Sequence, residues 1–303
     1  MPLAVSDSLD QLSAGALDWL GHNLAFFNPY SADSRASRHL KVKAALELAL
    51  LCHCWARRRP GDDQLSEATE LIRMLWQRPD FPQLIAAAQP AYARQYGLIY
   101  GALAPAGIND ALCRATLAEL AEAGHLEPRG KSPYLRIETR YYADKAGIGH
   151  GIEPYEELIE QSILVRQPAA LPMTNADAYA ITHTSFYLSD FGFRDLSLAR
   201  GSRESAQRLV ARMLDYCARA KRWDLACELV LTQFCLGEDP RKTPSGTAGI
   251  QSLAAARAPD GAIPGRSEAQ VPAATAPASE SFLKAYHTTL VTALMSVIVS
   301  SAA

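Results

Sequence analysis

The sequence predicts an all-α protein built from repeated antiparallel helical hairpins. Three observations carry that expectation. Apolar residues recur at helical spacing through most of the 303 residues, and period-two alternation is almost absent. Pro60, Pro79, Pro105, Pro128, Pro154, Pro172 and Pro240 fall between the periodic segments, where proline is tolerated. The connections are short, which makes successive helices antiparallel neighbours.

The first helix covers residues 8–24, with Leu9, Leu12, Ala16, Leu17 and Leu20 on one face. A second begins at Ser34 or Ser37 and reaches Trp55, carrying Leu40, Ala44, Leu46, Leu48 and Leu51. Asp62 or Asp63 caps a third, striped by Leu65, Ala68, Leu71, Ile72 and Leu75. Further helices are predicted near 82–97, 108–124, 134–145, 154–165, 176–190, 203–219, 222–236, 246–257 and 279–300. Asn109 or Asp110 reads as a start signal, and Gly124 as the glycine just past a helix end. Residues 131–139 have a competing strand reading. One helical domain spans 1–303, with a long Pro-, Gly-, Ala- and Ser-rich loop at about 237–279 of the kind that serves as a lid or partner-binding segment. The strings Ala180-Ile-Thr-His-Thr-Ser-Phe and Lys284-Ala-Tyr-His-Thr-Thr-Leu share a His-Thr pair near a helix start. Hairpins whose second helices line a common centre, as in an α/α toroid or solenoid, produce such an echo; chance also does.

Hydrophobic residues make up 49% and charged residues 20%, a globular balance, and the net charge of −2 supplies no field for nucleic acid or an anionic membrane. The first residues have neither the basic nor the apolar part of a signal peptide. The apolar run 290–303 falls short of the roughly 20 residues a bilayer needs, so a buried last helix is expected. Six cysteines inside helical patterns suit reduced core thiols and a cytoplasmic protein. Arg57, Arg58 and Arg59 end an apolar helix, where cations complement the macrodipole.

Polar residues on apolar helices are the candidate chemistry. Tyr179, His183, Tyr187 and Asp190, spaced four, four and three, share one helical face. An imidazole among phenols and near a carboxylate has the ingredients of acid–base catalysis; a hydrogen-bonded core histidine is the alternative. His183, Asp190 and Tyr187 are the catalytic candidates. Arg136 and Arg140, four apart, suit an anionic group, with solvated ion pairs as the alternative. Glu138, Tyr142, Tyr179 and His287 complete the candidate substrate site. No CxxC, HExxH, P-loop, GxGxxG or GxSxG pattern is present, so neither a metal nor an organic cofactor is expected.

Thr182-His-Thr-Ser-Phe-Tyr-Leu-Ser-Asp-Phe-Gly and Tyr286-His-Thr-Thr-Leu-Val resemble an uncharacterised all-helical family of actinobacterial natural-product pathways. More narrowly, the chain resembles the larger component of the two-component enzymes that close aziridine rings in azinomycin- and vazabitide-type pathways. That resemblance implies a cofactor-free displacement in which an amine expels a neighbouring sulfate. Such a reaction needs a base for the amine, for which His183 or Asp190 serves, and donors for the sulfate, for which Arg136 or Arg140 serves. The expected ligand is a small polar metabolite, with a protein partner subunit possible and neither nucleic acid nor membrane involved. The rival expectation is a non-catalytic helical interaction protein or subunit of a heteromeric complex, and a third is a carrier of a hydrophobic ligand.

Overall fold

The computed structural model describes residues 4–31, 35–88, 90–126, 130–167, 174–265 and 276–301. Among them are thirteen α-helices and no strand, so the predicted all-α class holds. The first seven are α1 (Val5–His22), α2 (Arg35–Arg58), α3 (Ser66–Gln77), α4 (Phe81–Ala88), α5 (Ala93–Ala102), α6 (Ala111–Glu122) and α7 (Pro133–Ala146). There follow α8 (Tyr155–Gln161), α9 (Asn175–Leu188), α10 (Arg200–Arg219), α11 (Trp223–Cys235), α12 (Pro244–Ala256) and α13 (Ala278–Ser300).

Burial sorts these helices into two layers. Almost every residue of α11 is buried, as is almost every residue of α13 beyond Tyr286. Helices buried all round belong at the centre, whereas α3 and α10 bury single stripes and lie outside. α13 is long and apolar enough to cross a bilayer, but 83% of its most apolar window is buried within the molecule. It is a core helix, as its sequence predicts.

The packing order closes on itself. α2 packs on α13, α13 on α11, α11 on α9, α9 on α7 and α7 on α5, and α5 returns to α2. Outside this ring α1 covers α13 and α12, α3 and α4 lie on α2, α6 on α5, α8 on α7, and α10 and α12 on α11. Register gives the helix directions. Tyr134 meets His183, Glu138 meets Tyr187 and Tyr141 meets Asp190, each pair 49 residues apart, so α7 and α9 run the same way. Tyr179 with Asp224 and Thr182 with Glu228, 45 and 46 apart, make the same argument for α9 and α11. Phe282 of α13 stacks on Trp19 of α1 at 5.9 Å and meets Phe27 edge-on at 4.9 Å, which ties the first helix to the last.

Local chemistry explains the boundaries. Asp110 accepts a hydrogen bond from the Cys113 N–H at 2.9 Å and caps α6, and Gly124 follows that helix at φ +68°. The single helix expected at 82–97 is two, α4 and α5, because Pro90 lies between them and lacks an amide donor. Asp62 accepts from the Gln64 N–H in the turn ahead of α3 rather than capping α3, which starts at Ser66. Residues 133–139 are helical, with Pro133 in the first turn, where no amide partner is needed.

The 237–279 segment is more structured than a long loop. It holds α12, and beyond α12 the Ile263 side chain is fully buried while its N–H donates to Thr289 Oγ1 at 2.9 Å. Gly261, at φ +92°, lies so close to α1 that a Cβ there would sit 2.1 Å from the Gly15 carbonyl oxygen. The Pro- and Ala-rich stretch at 266–275 lies outside the described residues.

All six cysteines are free, and burial pushes the thiols of Cys52, Cys54, Cys227 and Cys235 up to about 12. Such thiols are inert packing groups at neutral pH.

α9, which carries His183, starts with a reciprocal cap. The Asp177 N–H donates to Thr174 Oγ1 at 3.2 Å, and the Thr174 N–H donates to the Asp177 carboxylate at 2.8 Å. Thr174→Ala should cost about 1 kcal/mol, read as a lower urea midpoint at unchanged slope. An unchanged midpoint would mean that packing alone fixes the start of α9.

Candidate functional site

A four-residue ladder recurs on the ring helices. Lys43 and Glu47 share a face of α2, Tyr134, Glu138 and Tyr142 a face of α7, Tyr179, His183 and Tyr187 a face of α9, and Asp224 and Glu228 a face of α11. Tyr96 comes from α5 and His287 from α13. These faces meet at the centre of the ring.

Glu228 sits between two imidazoles. One of its carboxylate oxygens lies 3.8 Å from His287 Nε2; the other accepts from Thr182 Oγ1 at 2.7 Å and lies 3.9 Å from His183 Nε2. The opposite ring nitrogen of His287, Nδ1, is 3.1 Å from Glu47, which Lys43 approaches at 3.3 Å. Only 3% of the Glu228 side chain is accessible, whereas His183 and His287 keep 31% and 32%. The carboxylate is sequestered and the imidazoles can be reached.

The charges stabilise one another. Burial opposes protonation of His287, but the Glu47 charge, the Glu228 carboxylate facing Nε2 and the hydrogen bond that Nδ1 donates to Glu47 outweigh it and raise its pKa to about 10. Burial disfavours the Glu47 carboxylate too, yet His287 and Lys43 hold its pKa near 2. Glu228 is likewise kept below the usual carboxylate range against its burial, chiefly by His287 and His183. The two carboxylates thus favour the imidazolium form of His287.

Aromatic rings surround His183. The centroids of Tyr134, Tyr179, Phe186 and Tyr187 lie 5.8–6.2 Å from its own. Tyr179 Oη donates to Asp224 at 2.8 Å, and Tyr187 Oη donates to Glu138 at 2.8 Å. Burial and the Glu138 charge push the Tyr187 and Tyr142 phenols well above their ordinary value.

The ring centre thus brings together His183, Tyr187, Glu138, Tyr142, Tyr179 and His287 from the sequence prediction. Asp190 does not share their face. α9 ends at Leu188, and Asp190, Phe191 and Gly192 all adopt positive φ, which turns the Asp190 side chain away. Its carboxylate accepts from Tyr141 Oη at 2.6 Å and Arg57 at 2.8 Å, with Lys145 Nζ at 3.4 Å. Arg58 donates to the Gly192 carbonyl at 2.7 Å, so two cations ending α2 clasp the end of α9.

Arg136 and Arg140 also point elsewhere. Arg136 pairs with Glu153 and donates to Gln161 Oε1 at 2.6 Å. Arg140 donates to the carbonyls of Ile152 and Glu153 at 2.6 and 2.8 Å and lies over the Tyr155 ring. Both pin the 152–161 segment to α7. Sequence reasoning missed Lys43, Glu47, Asp224 and Glu228; the signal was charged pairs four apart on helices with apolar remainders.

A concavity of about 630 Å³ lies among α3, α4, α5 and α6. Apolar residues such as Trp76, Ile85, Leu117 and Leu120 dominate its walls, and none of the ring-centre residues lines it.

The sequence profile of a family described as a domain of unknown function, DUF6895, matches residues 13–297. No curated protein and no solved structure matches the chain.

Proposed function

The chain belongs to the DUF6895 family, and we propose that its ring centre is an acid–base active site acting on a small amine-bearing metabolite. One observation carries the reading: a sequestered carboxylate, Glu228, within 4 Å of Nε2 on two accessible imidazoles. In this reading His183 takes a proton from the substrate, and Glu228 holds the imidazole in position and stabilises the imidazolium that forms. His287 and Lys43 face the same space with positive charge. They, rather than Arg136 and Arg140, would hold an anionic leaving group.

Applied to the narrower reaction, cyclisation with loss of sulfate, these roles balance. An ammonium gives its proton to His183, the freed nitrogen lone pair forms the new C–N bond, and the C–O bond to sulfate breaks with its electrons leaving on sulfate; the product is the protonated aziridinium, which loses its remaining excess proton to water. The simplest vicinal amino sulfate, 2-aminoethyl hydrogen sulfate, tests it. Sulfate release should exceed the uncatalysed rate and fall about 10²–10⁴-fold in a folded His183→Asn variant. No release by the wild-type protein sinks the sulfate-expelling reaction, and a wild-type rate in His183→Asn removes the role of His183.

A further inference from the structure

The charged groups at the ring centre are unevenly paired. Glu47 has Lys43 and His287, and Glu228 faces His287 and His183. Glu138 makes no ion pair among the described residues; its hydrogen-bond partner is the uncharged Tyr187 phenol. Arg136 and Arg140, its neighbours in sequence, are turned to Glu153, Gln161, Asp144 and backbone carbonyls.

Tyrosines surround this carboxylate. Tyr134 and Tyr142 lie one helical turn to either side of it on α7. The Tyr142 and Tyr187 rings pack at 5.5 Å. Burial first, then Glu47, Tyr92 and, least, Glu138 raise the phenol pKa of Tyr96 on α5 to about 12. A carboxylate with no ion-pair partner is open to a cationic group, and tyrosine faces attract cations. A carboxylate beside aromatic rings matches the recognition chemistry of an alkylammonium group.

We propose that Glu138, flanked by Tyr134, Tyr142 and Tyr187, anchors the ammonium group of the ligand, so that the site selects organic cations over neutral molecules of the same shape. The inference rests on the ring centre being a ligand site, and it names the ligand class of that site. It also gives an order of events. The ammonium form is captured beside Glu138, and the Tyr187 ring, which touches both Glu138 and His183, sets the path to the base.

Matched probe pairs test this without turnover: choline against 3,3-dimethylbutan-1-ol, and benzylamine against benzyl alcohol, by calorimetry on the full chain. At least one cation should bind about tenfold or more tightly than its neutral partner, a difference of about 1.4 kcal/mol. Glu138→Gln, with its fold checked by circular dichroism and thermal midpoint, should erase that preference. Equal binding within both pairs, no cation binding at millimolar concentration, or a preference that survives in folded Glu138→Gln would each overturn the proposal. If Glu138→Gln fails to fold, Tyr134→Leu serves instead: it removes one ring and should weaken the cation at least threefold more than its neutral partner, and equal weakening overturns the proposal. Cation preference without sulfate release faults the proposed chemistry alone, and sulfate release without cation preference faults the anchor alone.

Discussion

Asp190→Ala should destabilise the protein by about 3–5 kcal/mol, the usual cost of removing one partner from a buried charge cluster. The Asp190 carboxylate is 3% accessible and serves Arg57, Lys145 and Tyr141 together. Its loss strands a buried phenol and two cations. Arg57 is a third exposed and can rehydrate, so the lower half of that range is the better expectation. Alanine at φ +49° adds a backbone cost of about 1 kcal/mol that asparagine, at ease in the left-handed region, largely avoids. Asp190→Asn therefore separates charge from backbone and should cost about half as much. Burial works against the ionised carboxyl, but Arg57, Tyr141 and Lys145 together hold its pKa below the usual carboxylate value. The stabilisation is thus present above about pH 4 and is lost as pH falls through the folded pKa. Urea melts at pH 7 and pH 3 check this, and the gap between wild type and Asp190→Asn should narrow in acid. A variant that melts with the wild type at pH 7 would show the cluster to be ornamental.

The fate of Asp190 also marks where sequence reasoning stops. Apolar periodicity finds the helices because each must bury a stripe or a whole circumference, and that demand is local. The end of α9 was hidden because Asp190 and Phe191 enter the left-handed region without the glycine that usually announces it. Spacing alone therefore carried the face one residue group too far. Arg136 and Arg140 failed for another reason: four-residue spacing locates a pair on a helix but not which side meets the centre. Their partners, Glu153 and Gln161, come from the segment around α8, and no local pattern states that pairing. The His183 and His287 strings place both imidazoles within 4 Å of the same carboxylate, Glu228. Glu47 stands 240 residues from His287, and only closure of the ring brings them together.

That closure gives a second large effect, on the alkaline side. His287 has a folded pKa near 10 against about 6.5 for an unperturbed histidine. A raised pKa means that its contribution is complete below about pH 6.5 and disappears as pH rises toward 10. Glu47, lowered to about 2, contributes above its unfolded value and loses that contribution as pH falls through 2. The pair therefore stabilises most between roughly pH 4.5 and 6.5. Wild-type stability should decline from pH 7 to 10 with a slope approaching about 1.4 kcal/mol per pH unit from this group. His287→Gln keeps a polar side chain but cannot carry the charge. It should cost about 2–4 kcal/mol near pH 6, allowing for the third of the ring that water reaches, and it should flatten the alkaline slope. Denaturant titrations across pH measure both, and the imidazole proton signals of His287 should remain in the charged form past pH 8. A variant that retains the wild-type slope would mean that His287 is neutral between its carboxylates. In that case Glu228 would rely on His183 and Thr182 alone, and the positive group that faces the ligand would be Lys43.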